Sequence, residues 1–102
     1  MTEEEINISP SEMSIIKKIL HQQIPSYKVW AFGSRVKGTA KKFSDLDLVI
    51  KTTTPLPLNI LGDLAEAFSE SDLSIKVDIL DWSRISEEFQ KVILEKYIVL
   101  IN

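Results

Sequence analysis

The sequence predicts an α/β fold, a small mixed β-sheet with its helices on one face. Three observations predict it. Apolar stripes at helical spacing alternate along the chain with short strand-like runs. The runs at 45–51 and 74–80 alternate residue by residue between apolar and polar or mixed faces. Gly and Pro stand at the joins between these segments. The predicted order is helix, strand, turn, strand, helix, strand, helix.

Residues 1 to 8 form an acidic lead-in expected to fray. Ser9-Pro10-Ser11-Glu12 starts a helix: a Ser cap, Pro at the first helical position and Glu three residues past the cap. Met13, Ile16, Ile19 and Leu20 carry it to about Gln22, and Pro25 stops it. His21 reads as a solvated residue suited to the helix C-terminus. Lys28 to Phe32 is a strand broken by Gly33; Ser34 to Lys37 suits one helical turn, and Gly38 relieves a tight bend. Residues 39 to 43 are a polar, basic loop. Asp45 to Lys51 is the second strand, and Thr52 to Pro57 a connector. Leu58, Leu61, Leu64, Ala65 and Phe68 make a helix to about Ser69, in which Gly62 costs about 1 kcal/mol against Ala. Ser74 to Leu80 is the third strand. Asp81 or Ser83 can cap the segment after it. Phe89, Val92, Ile93, Lys96 and Tyr97 carry a last helix, before the apolar tail Ile98 to Ile101.

Bulk properties narrow the function. A chain of 102 residues has room for one domain, 1–102, with a real core. With 44% apolar and 26% charged residues it reads as a soluble globular protein. A net charge of −3 argues against coating nucleic acid, so no direct nucleic-acid contact is expected. Without cysteine there is no disulfide and no thiolate metal site. The acidic start MTEEEIN lacks an apolar signal region, and no apolar run nears the roughly 20 residues of a membrane span. The expected location is the cytoplasm, with no membrane contact.

Chemistry concentrates in residues 29 to 51. Gly33-Ser34 ends the first strand, and ten residues later comes Asp45-Leu46-Asp47. Leu46, Leu48 and Ile50 share one strand face, while Asp45 and Asp47 share the other, about 7 Å apart at Cα. Asp78 is the one carboxylate inside the third strand. If the strands are neighbours, all three carboxylates meet on one open patch. Such a cluster repels itself unless cations neutralise it, and Mg²⁺ favours carboxylates together with substrate phosphates. Gly33 admits a phosphate close to the backbone, and Ser34 offers hydroxyl and amide donors. Arg35 is placed to bind phosphate bidentately. Lys37, Lys41 and Lys42 read as a solvated loop that adds attractive potential. Taken alone, Asp45 and Asp47 could simply face solvent. The whole Gly-Ser and Asp-x-Asp spacing arises by chance in roughly one chain per thousand, which favours a nucleotide site.

GSRVKGTAKKFSDLDLVI, with the later KVDILDW, resembles the nucleotidyltransferases of the DNA polymerase β superfamily, and most closely the stand-alone minimal nucleotidyltransferases. The resemblance spans nearly the whole chain and implies a polymerase-β-like palm. It implies that Asp45, Asp47 and Asp78 are the catalytic and metal-binding triad, holding two Mg²⁺ ions. It implies that Gly33 and Ser34 form the turn that holds the triphosphate of ATP, with Arg35 beside them. It further implies an antitoxin that transfers AMP to a tyrosine hydroxyl of a HEPN RNase toxin, its partner in a hetero-oligomer. A palm of this size with one open face forms half a pocket, which suits an acceptor arriving on another chain. A competing reading is a non-catalytic antitoxin that occludes its partner, for which Tyr97 to Ile101 could supply apolar surface; packing of the last helix explains those residues better. Transfer to a small molecule, or templated polymerisation, lacks an acceptor-holding domain.

Overall fold

The computed structural model describes residues 6–39 and 44–102. Its elements run α1 (Pro10–Gln23), β1 (Lys28–Phe32), α2 (Ser34–Lys37), β2 (Leu46–Lys51), α3 (Leu58–Ser69), β3 (Val77–Asp81), a 3₁₀ turn at Trp82–Arg84, α4 (Glu87–Glu95) and β4 (Ile98–Ile101). The sheet order is β3-β2-β1-β4. β1 lies antiparallel to β2 and β4, whereas β2 and β3 are parallel, joined by the crossover helix α3.

Strand alternation divides the molecule into two faces. Val29 and Ala31 of β1, and Leu46, Leu48 and Ile50 of β2, turn to the main core with Met13, Ile16 and Leu20 of α1 and Leu64 and Phe68 of α3. Phe32 and Val49 turn the other way and pack with Ile93 of α4. The two long helices therefore share one face as expected. The short α4 is a correction to that picture: it lies against the opposite face, because its buried Ile93 has its apolar partners there.

The start of α1 follows the predicted cap. Ser9 accepts from the Glu12 amide at 3.3 Å, with Pro10 in the first turn. The Glu12 carboxylate also accepts from the Ser74 amide and hydroxyl at 3.0 and 2.9 Å, tying the helix to the approach of β3. These bonds, the Ser74 amide foremost, hold its carboxyl below its usual range. The lead-in differs from expectation at residues 6–8. Ile6 is buried in the main core, and the Asn7 amide donates to the Arg35 carbonyl at 2.8 Å.

The C-terminal run also differs. The last helix stops at Glu95, and Ile98–Ile101 pairs beside β1 as a fourth strand, with a register shift at Val29/Trp30. A continuous four-residue apolar run has no period to separate strand from helix, and here β1's open edge decides. Tyr97, placed in the helix by its spacing, instead stacks on Trp30 with ring centres 4.0 Å apart.

A buried carboxylate fixes the turn after β3. Asp81 accepts from Thr52 Oγ1, from the Leu56 amide at 2.7 Å and from the Ser83 amide at 3.0 Å, and pairs with Arg84 Nε at 3.3 Å. Burial alone would raise its pKa, but these donors together hold it below the usual value of 3.8. Asp81→Ala leaves several donors unpaired, and we expect a loss of about 3 kcal/mol in urea unfolding. The Asp81 contribution is fully present above the unfolded-state pKa and fades as pH falls through the depressed native one. The acid limb of the wild-type stability curve should therefore flatten in the variant.

Candidate active site

The face opposite the main core carries the predicted carboxylates. Asp47 follows Leu46 on β2 and so points away from the core, level with Phe32 of β1 on one side and Asp78 of β3 on the other. Asp45 immediately precedes the strand and is half-buried. Parallel pairing of β2 and β3 thus brings Asp47 beside Asp78, as the alternation of both strands requires. Burial, then the charges of Asp78 and Asp45, push the Asp47 carboxyl above its usual range. Asp78 is also 3.6 Å from Lys76 Nζ.

Gly33 completes this corner. It lies directly after β1 with φ +84° and ψ −158°, a combination open to glycine and strained for any other residue. A Cβ there would fall 2.3 Å from Asp47 Oδ2. The turn and the Asp-x-Asp strand are therefore one packed unit, which explains why both parts of the motif occur together. Ser34 follows, half-buried, and its hydroxyl has no hydrogen-bond partner among the described residues. Gly38, at φ +79°, ends α2 in the left-handed region, as its predicted place in a tight bend requires.

Arg35 departs from the phosphate-binding expectation. It is 7% exposed, donating from Nε to the Ser44 carbonyl at 2.9 Å and from a terminal nitrogen to the Asn7 carbonyl at 2.8 Å. A guanidinium fork matches backbone carbonyls as readily as phosphate, so the sequence carries no signal to separate the two. Here it pins the lead-in and the approach to β2 onto the turn. Lys37 is exposed, whereas Lys41 and Lys42 lie outside the described residues.

The far end of this face is closed by aromatic rings. Trp30 packs edge-on to Trp82 at 5.8 Å, and Lys51 Nζ sits 4.4 Å from the Trp30 ring centre and 3.4 Å from that of Trp82. Burial, with Lys28 nearby, lowers the Lys51 pKa.

The donor set suits a hard divalent cation: carboxylate oxygens on adjacent strands, the central one pushed up in pKa by burial and by its neighbours' charges. Among the described residues no three acidic or imidazole side chains form a ready-made metal cage. The three carboxylates of the expected triad are therefore neighbours without being a closed ligand set. Mg²⁺ takes one or two carboxylates and completes its shell with phosphate and water, so this arrangement fits a metal that arrives with a nucleotide.

Comparison with known proteins agrees with the geometry. The family model for the polymerase beta nucleotidyltransferase domain matches residues 14–102. A Haemophilus influenzae protein named "Probable protein adenylyltransferase MntA" is 52% identical over 96 residues, covering 94% of this chain and 84% of that protein. A crystal structure of a toxin–antitoxin pair with AMP-PNP superimposes with a TM-score of 0.73 at 26% identity, over 86% of this chain and 71% of the other. The MNT antitoxin complex with a tri-AMPylated HEPN toxin of Shewanella oneidensis shares the fold, with a TM-score of 0.65 at 22% identity, over 88% and 69% of the two chains.

Proposed function

Because the chain belongs to the polymerase beta nucleotidyltransferase family, we propose that it transfers AMP from ATP to a protein hydroxyl, a tyrosine of a HEPN-type toxin, and thereby acts as that toxin's antitoxin. One observation carries the reading: Asp47 stands in register beside Asp78 and packs against Gly33. A phosphate-admitting turn and a pair of carboxylates thus share one corner. The identity to a protein named as an adenylyltransferase supports the choice of AMP, and the toxin–antitoxin neighbour supports the choice of partner.

In this mechanism Gly33 and Ser34 hold the triphosphate, with the Ser34 hydroxyl and backbone amides as donors. Asp45, Asp47 and Asp78 would hold two Mg²⁺ ions, which supply neutralisation of charge on the phosphates and on the attacking oxygen. The acceptor oxygen attacks the α-phosphorus, the bond to the β-phosphate oxygen breaks, and pyrophosphate leaves. Asp78 would also take the hydroxyl proton. Arg35 supports the turn from behind through Asn7 and Ser44.

The test is transfer of label to the purified cognate toxin in the presence of Mg²⁺. ATP labelled at the α-phosphate should mark the toxin, and ATP labelled at the γ-phosphate should not. Label from the γ-position would mean phosphoryl transfer instead. Neutralisation of the toxin without label from either would favour occlusion, for which exposed Phe89, Val92 and Leu94 on α4 offer surface.

A further inference from the structure

We propose that the partner segment bearing the acceptor hydroxyl binds in extended form along the free edge of β3, in the groove between β3 and α3. This deepens the transfer reading and rests on it. Strand order supplies the direction. The Gly33-Ser34 turn follows β1, Asp45 and Asp47 belong to β2, and Asp78 belongs to β3. In-line displacement sets the attacking and leaving oxygens on opposite sides of the phosphorus. With pyrophosphate leaving over the β1 turn, the hydroxyl must enter from the β3 side.

A groove of ≈ 750 Å³ lies on that side. Gly62, Ala65 and Phe68 of α3 form one wall, Val77 and Ile79 of β3 the other, and Asp78 between them also borders it. Val77 and Ile79 pack against the main core, while Asp78 between them belongs to the carboxylate face. Residues from both faces line the same space, so the groove follows the edge of the strand. β3 ends the sheet order, with β2 on one side. The Leu46 amide donates to the Lys76 carbonyl at 2.9 Å, and Leu46 is level with Val77. In a parallel ladder the residues flanking Val77 then serve β2, and the amides and carbonyls of Val77 and Ile79 point outward.

An extended peptide suits every part of this surface. Its backbone can pair with those outward groups, and alternate side chains can enter the apolar groove. Its next residues then pass Asp78, where the hydroxyl is needed. The helix wall leaves space for it: Gly62 and Ala65 are exposed, and a Cβ on Gly62 would meet nothing within 4 Å. The exposed apolar residues of α4 are worse placed for the acceptor. Phe89 packs edge-on to Phe32 at 6.0 Å, on the β1 side of the carboxylates where the leaving group departs.

Gly62→Trp fills the groove at a solvent-facing helical position and should fold normally, since Trp is a better helix former than Gly. With wild-type protein, the variant and the purified cognate toxin, kcat/KM for the toxin should fall at least about tenfold, with the KM for ATP unchanged. Equal kcat/KM for the toxin would overturn the proposal. A second arm does not depend on catalysis. The photo-crosslinker p-benzoylphenylalanine at position 62, in the assembled complex, should label one hydroxyl-bearing segment of the toxin. A complex that forms without crosslinking there, or that crosslinks to a segment lacking a hydroxyl, would equally overturn it. Failure of wild-type protein to transfer label would instead sink the transfer reading, and the crosslink would still decide where the partner lies.

Discussion

Asp47→Asn is expected to abolish AMP transfer while making the protein without Mg²⁺ more stable. The two effects have one origin. Asp47 lies between two strands that each bring a constraint: Asp78 level with it on β3, and Gly33 packed against its carboxylate after β1. Burial and the charges of Asp78 and Asp45 raise its pKa. A raised carboxyl pKa means that the native state holds its proton to higher pH than the unfolded chain. Stability therefore declines as pH climbs from the ordinary value of 3.8 through the native one, and stays reduced above it. Asn keeps the shape beside Gly33 and removes the charge, so the variant should lack this decline and show the higher melting temperature at neutral pH. Addition of Mg²⁺ with a non-hydrolysable ATP analogue should reverse the order, because only the wild type regains the full cation site. The lost charge neutralisation is worth several kcal/mol, so transfer should fall by about 10³-fold or more. Equal transfer by the variant, read with α-labelled ATP, would remove Asp47 from the reaction. A lower melting temperature at neutral pH without metal would show that neither burial nor its neighbours' charges make the ionised Asp47 costly.

The carboxylate corner is legible in the sequence because period-two alternation is rigid. Once Leu46, Leu48 and Ile50 face the core, Asp47 must face away, and the same logic applied to Ile79 places Asp78 beside it. What the sequence does not disclose depends on groups with more than one suitable partner. Arg35 can satisfy its donors with phosphate or with carbonyls, and only the docked position of Asn7 and Ser44 decides between them. Asp81 reads as a local cap, which it is for Ser83. Its larger part, holding Thr52 and Leu56 across a long sequence gap, needs β2 and β3 to be neighbours first. Ile98–Ile101 lacks a readable period, and its strand character comes from the edge that β1 presents. The short α4 has the same cause. Apolar residues on two sides of the sheet compete for it, and Phe32 and Val49 on the carboxylate face take Ile93.

Gly33→Ala should damage catalysis far more than folding, and a paired substitution at Gly38 separates the reasons. Both glycines have positive φ, +84° and +79°. Gly38 adopts the left-handed helical region with open space around it, so Ala there adds only backbone strain, about 1 kcal/mol, and should leave transfer intact. Gly33 lies in a region essentially confined to glycine, where strain amounts to about 1–3 kcal/mol. It also has a neighbour: the new Cβ would lie 2.3 Å from Asp47 Oδ2 and 3.2 Å from its Cγ. The carboxylate can relieve this contact by rotating, which preserves the fold and moves the oxygen away from the position the reaction needs. A displacement of that kind costs about 10²-fold in rate even when every group is still present. Urea unfolding should therefore place the two alanine variants within about 2 kcal/mol of each other, while α-label transfer separates them by two orders of magnitude or more. Equal transfer by both would mean that Asp47 tolerates displacement, and that Gly33 is required for the turn alone.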